Sequence, residues 1–132
     1  MNAIEKTNKI HKLCTQINGG LQASGYWLSE EDISYLRKQQ IQACKIHQMI
    51  DFDSHILFDI ANTFQKSPYI RYDSFVNCIK EALYIYYGVR RRDHIRYDHE
   101  IVVIMYEQYI AHHGIFDLAL LQDCIKAVKT NE

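Results

Sequence analysis

An all-α fold, a single compact bundle of five to six helices over residues 1–132, is what this sequence predicts. Apolar residues recur every three or four positions in six separate runs. One Pro and five Gly in 132 residues offer too little turn chemistry for a many-stranded sheet. Asp or Ser precedes five of the six runs, where a side-chain oxygen can accept the N–H groups that a first helical turn leaves unpaired.

The first run, residues 3–17, places Ile4, Ile10, Leu13, Cys14 and Ile17 on one face. It is expected to stop at Asn18-Gly19-Gly20, with a flexible connector to about Gly25. Next, Ser29 as N-cap, Asp32 at the third helical position and Leu28 with Ile33 as a hydrophobic staple open a helix from Glu30 to about Met49. Its apolar face carries Ile33, Leu36, Ala43 and Cys44, with Gln40 and His47 in the same stripe. Asp53 caps a third run through Gln65, stapled by Phe52 and Leu57, and Pro68 lies beyond its end.

Residues 70–73 and 95–98 are both Ile-Arg-Tyr-Asp, and each copy stands before an amphipathic run. Asp73 and Asp98 are therefore expected N-caps, each well suited to the positive end of a helix dipole. The helix over residues 73–87 has Phe75, Val76, Ile79, Ala82, Leu83, Tyr86 and Tyr87 on one side and Asn77, Lys80, Glu81 and Tyr84 opposite, the pattern of a surface helix. Over residues 98–113 apolar positions cover more than half of the circumference, which marks the central helix, with Gly114 as its C-cap. Asp117 opens the last run, stapled by Phe116 and Leu121. The two tetrapeptides suit either a duplicated element or two helices sharing an entry motif in an irregular bundle; a regular solenoid needs at least three stacked repeats.

Fifteen basic and sixteen acidic residues leave a net charge of −1, so no whole-molecule field draws the chain to nucleic acid or an anionic membrane. The longest apolar run, residues 101–106, is too short to span a bilayer, and the amino terminus lacks a signal-peptide core. A cytoplasmic protein is expected. Its four widely spaced cysteines read as reduced core residues rather than a disulfide framework.

Leu28-Ser29-Glu30-Glu31-Asp32, Phe64 followed by Ser67-Pro68-Tyr69-Ile70, and residues 98–105 leading into a last helix resemble domain-of-unknown-function family 6323 of bacteria, over about residues 26–128. The chain departs from that pattern at Gln65, where the family usually has Cys, and at Asp53, where it usually has Gly. The resemblance implies a helical protein and brings no activity, cofactor or catalytic residue.

Several constellations bear on chemistry. Cys44 and His47 lie three apart on one helical face, as do His11 and Cys14, so a thiol site or a four-ligand zinc site between two helices is conceivable. Against it stands the reading of buried thiols beside histidines that satisfy backbone groups. His94, His99, His112 and His113 cluster only along the chain, since adjacent histidines on a helix diverge by about 100°. Glu100 and Glu107 are two turns apart, too far for a carboxylate dyad. Arg90, Arg91, Arg92 and Arg96 form the one concentrated charge, flanked by tyrosines, and suit phosphate or carboxylate recognition on an exposed connector. Trp27 beside Tyr26 serves either as an anchor for a partner or as a plug under the connector.

With thorough cap and core patterning and no legible reaction centre, the expected function is a non-enzymatic protein-interaction or adaptor domain, without cofactor or membrane, binding through Arg90, Arg91, Arg92 and Arg96 or through Tyr26 and Trp27. A nucleic-acid-binding regulator using residues 90–96 is the alternative, and a metal or thiol site on Cys44 and His47 is the third.

Overall fold

The computed structural model describes residues 3–49, 53–93 and 96–130. Among these, six helices run α1 (Ala3–Gly20), α2 (Glu30–Ile46), α3 (Ser54–Phe64), α4 (Phe75–Arg90), α5 (Asp98–Ala111) and α6 (Leu118–Thr130), with a 3-10 turn at Tyr72–Ser74 and no strand. Phe52 of the third staple, and His94 and Ile95, lie outside the described residues.

The centre of the bundle is α4, not α5. α4 packs on α2, α3, α5 and α6 at once, and it buries Cys78, Ile79, Ala82, Leu83, Ile85, Tyr86, Tyr87 and Val89. α5 buries only Ile101, Val102, Met105 and Tyr109, and its remaining apolar side chains are half-covered. A wide apolar stripe shows that a helix tolerates burial; which helix is surrounded depends on how closely its neighbours approach. Here α2 makes the difference, since it packs on α4 and not on α5, while α6 packs on both; Gly88 lets α6 come close, because a Cβ on Gly88 would lie 2.8 Å from the Leu121 Cδ1 of α6. α1 touches only α2 and α3, while α6 touches only α4 and α5, so the first and last helices flank the bundle on different sides.

Three of the expected caps form. Ser29 and Asp32 make the reciprocal capping box of α2, the Asp53 carboxylate accepts from the His55 N–H, and the Asp117 carboxylate accepts from the Leu120 N–H. The other two do not. Asp73 lies in the 3-10 turn, and Ser74, the residue before α4, makes no side-chain cap bond. Asp98 is already the first residue of α5, behind an uncapped Tyr97, and its carboxylate accepts from the Tyr86 hydroxyl at 2.6 Å and pairs with Arg90 at 2.9 Å. The repeated tetrapeptide is therefore not a repeated capping device. Its two aspartates sit in different surroundings, one exposed and one tied to α4.

α1 also runs through Gly19 and Gly20 instead of stopping before them. Gly20 suits a close approach, since a Cβ there would lie 3.1 Å from Asn62 Oδ1 of α3, and its carbonyl accepts from Gln65 Nε2. At the end of α5 both His113 and Gly114 adopt positive φ, and the Tyr69 side chain covers Gly114. Tyr69 in turn meets Tyr109 edge-on, and the Tyr109 ring packs on Phe64 and Phe116 while its hydroxyl bonds Ser67 at 2.7 Å.

Two outcomes check this account. Gly114→Ala should cost about 3 kcal/mol in urea denaturation, from left-handed strain and collision with the Tyr69 Cβ, which a new Cβ would meet at 2.5 Å. Asp98→Ala should cost about 2 kcal/mol, by stranding Arg90 and the Tyr86 hydroxyl, whereas Asp73→Ala should stay within about 0.5 kcal/mol of wild type. Equal losses for the two aspartates would restore the shared-cap reading.

Candidate functional site

The loop between α4 and α5 is a knot of internal bonds rather than a four-arginine surface. At the C-terminal end of α4, Arg90 reaches across the loop: Nη1 donates to the Arg96 carbonyl at 2.6 Å and Nη2 pairs with Asp98. Arg96 Nη1 donates to Asp93 Oδ2 at 2.7 Å, and both of these side chains are largely buried. Asp93 Oδ1 also accepts the Arg96 backbone N–H. A planar guanidinium with several donors suits this task, since loop carbonyls turned inward and a buried carboxylate both need partners. Only Arg91 and Arg92 of the four are exposed.

The aromatic pair divides in the same way. The connector has no helix or turn from Tyr26 to Leu28, and its side chains alternate between the core and solvent. Tyr26 turns inward, stacks on Phe75 with centroids 4.4 Å apart and donates its hydroxyl to the Ile70 carbonyl. Leu28 is buried. Trp27, between them, is 61% exposed and has no ring contact or hydrogen bond among the described residues. Asn18 holds the segment, accepting from the Leu28 N–H and donating to the Leu28 carbonyl, both at 2.8 Å.

Trp27 borders a groove of about 710 Å³ between α1, the connector and the start of α2. His11, Thr15 and Asn18 contribute at helical intervals along α1, Gln22 follows from the turn after it, and Glu30 faces them with Oε1 2.9 Å from His11 Nδ1. Cys14 forms part of the lining, donates to the Leu28 carbonyl and accepts from Asn18. Burial, and then the charges of Glu30 and Asp32, push its thiol pKa upward. The His11 and Cys14 pair is thus a poor nucleophile, because the reactive species is the thiolate.

Cys44 is buried, and His47 is half-buried beside a cleft of about 280 Å³ lined also by Glu81, Tyr84, Phe116 and Leu121. His47 Nδ1 has no partner among the described residues, and burial followed by the charge of Arg91 lowers the pKa of the ring. No three His, Cys, Asp or Glu side chains converge among the described residues as a metal requires, so the zinc arrangement between α1 and α2 is not formed. Two other histidines pair with a single carboxylate each: His99 with buried Asp59 of α3, and His112 with Asp123 of α6. His99 stays mostly exposed while its Nδ1 reaches Asp59 at 2.9 Å. The sign of its partner was Asp59 itself, a carboxylate set among the apolar residues of α3 with Thr63 one turn on and bonded to it.

A family model matches residues 13–131, nearly the whole chain. The chain belongs to DUF6323, a family of unknown function. No curated protein and no solved structure matches it. No helix among the described residues is long and apolar enough to cross a membrane.

Arg90→Ala and Arg96→Ala should each lower stability by about 2 kcal/mol, while Arg91→Ala and Arg92→Ala should change it by less than about 0.5 kcal/mol. Urea midpoints for the four variants decide this. The thiols give a second check. Burial raises Cys78 and Cys124 from 9.0 to about 12, so the folded chain holds protons that the unfolded chain loses between those values. Stability is therefore expected to fall as pH rises through that window, and both thiols should resist a thiol-exchange reagent at pH 8 until denaturant is added.

Proposed function

We propose that this protein is a non-enzymatic interaction domain of the cytoplasm that binds a protein partner, and that the groove bordered by Trp27 is its binding face. The observation that carries the reading is the placement of Trp27. A large aromatic side chain held out to solvent by a connector bonded at Leu28 and Tyr26 is the kind of preordered anchor that dominates protein interfaces. The adjacent groove offers concave surface of mixed apolar and polar character for the rest of a contact. The four buried free cysteines suit a reducing compartment.

The nucleic-acid reading is weaker, because Arg90 and Arg96 spend their donors inside the loop. Arg91 and Arg92 remain, two charges where roughly six to ten phosphate contacts give the strong salt dependence of such binding.

Affinity capture from the native host, with wild type, Trp27→Ala and the Arg91→Ala/Arg92→Ala double variant as baits, tests the assignment. Trp27→Ala should keep the wild-type melting temperature and lose the captured protein, and the double variant should keep both. Retention by Trp27→Ala together with loss by the double variant would move the binding face to the α4–α5 loop.

A further inference from the structure

We propose that the groove receives a basic side chain, an arginine or lysine on the partner segment, with its cation against the Trp27 indole and paired with Glu30. The proposal rests on the reading of the groove as the binding face and names the chemistry that fills it. Charge distribution argues for it. No lysine or arginine lines the groove, whereas Lys9, Lys12 and Arg37 line a separate cleft with Ile10 and Ser54. Glu30 supplies the carboxylate; His11 engages its Oε1, and Oε2 has no partner among the described residues.

The C-terminal end of α1 adds to the same potential. Gly19 of its last turn lines the groove, and that turn has no basic residue, so the negative end of the helix dipole is uncompensated from within the helix. The field reaches the groove lining, since burial and then the charges of Glu30 and Asp32 raise the Cys14 thiol pKa. Trp27 presents an uncommitted indole face beside these acceptors, and an indole is the best aromatic partner for a cation. Gln22 and Thr15 bring further oxygens, which a guanidinium fork can use together with the carboxylate. A neutral or acidic segment would leave this negative corner unpaired.

Trp27 is the one tryptophan of the chain, so its emission reports the groove directly. The test titrates the intact protein at low salt with hexa-arginine and with hexa-citrulline, which keeps the shape of the side chain and removes its charge. Hexa-arginine should perturb Trp27 emission saturably, and hexa-citrulline should not. Glu30→Gln should weaken the hexa-arginine response about tenfold, the scale of one charge-assisted pair. Glu31→Gln, an exposed carboxylate of the same turn outside the groove lining, should leave it within about twofold and controls for nonspecific attraction. Circular dichroism melting confirms that both variants fold.

Equal responses to the two peptides, equal effects of the two glutamate variants, or no response to hexa-arginine would each overturn the proposal. Capture separates it from the reading beneath it. If Trp27→Ala loses the partner and Glu30→Gln keeps it, the groove binds but not through a basic residue; if Trp27→Ala keeps it, the groove assignment itself falls.

Discussion

Arg90 sits at the end of the helix on which four others pack. Backbone N–H groups of Arg91, Arg92 and Asp93 meet the Tyr87 and Val89 carbonyls of its last turn, and the chain that leaves it still needs partners for its own polar groups. The solution is local. Arg90 spans the loop to the Arg96 carbonyl, Asp98 receives both Arg90 and the Tyr86 hydroxyl, and Arg96 neutralises buried Asp93. These bonds set where α5 begins and how it leaves α4. The position of α5 then fixes Tyr109 against Phe64 and Phe116, and the α5–α6 turn at Gly114 against Tyr69. Breaking such a cluster leaves charges buried without partners, which costs more than the pairs contribute over well-packed apolar replacements.

A second polar bridge crosses the core with the same logic. Gln40 is fully buried on α2, and its Nε2 donates to the Tyr87 hydroxyl of α4 and to the Asp53 carbonyl that opens α3. One amide thus ties three elements. An apolar residue there would fill the space but remove one donor each from the Tyr87 hydroxyl and from a carbonyl at the start of α3. Gln40 and the Arg90 cluster each tie α4 to a neighbouring element, one to α2 and one to α5.

The sequence spoke plainly about features whose cause is local. Ser29 with Asp32, Asp53 and Asp117 act as caps because capping involves only residues within one turn, and the family resemblance rested on contiguous motifs. It misled where distant chain decides. The identical tetrapeptides diverge because Asp98 has Arg90 and Tyr86 within reach and Asp73 has neither, and no pattern within residues 70–73 or 95–98 encodes that difference. The rank of α4 over α5 turns on α2 packing against α4 and not α5, a contact between elements far apart in sequence. For the candidate site, the residue types were legible but their allegiance was not. Arg90 and Arg96 resemble Arg91 and Arg92 in a string of letters, yet two are structural and two are exposed. Alternation along the connector separates Tyr26 from Trp27, and Asn18, ten positions from Leu28, holds that connector in place.

The division between the two flanks bears on where a partner can act. The α4–α5 loop is bound to the centre of the bundle, so a contact that displaced Arg90 or Arg96 would disturb the helix on which four others rest. α1 meets only α2 and α3, and the connector after it is anchored by side chains that leave Trp27 out of the core. Apart from Cys14, Asn18 and Tyr26, which pack or bond inward, residues facing the groove are therefore released from packing demands that constrain the rest of the chain. Thr15, Gln22 and Glu30 are exposed, and none of them is among the buried core residues. Loops held by a rigid frame are where recognition residues concentrate, because their side chains answer to a partner rather than to a core. By that criterion the α1 flank, with its negative corner and single outward indole, is the part of this fold that its own stability leaves unexplained.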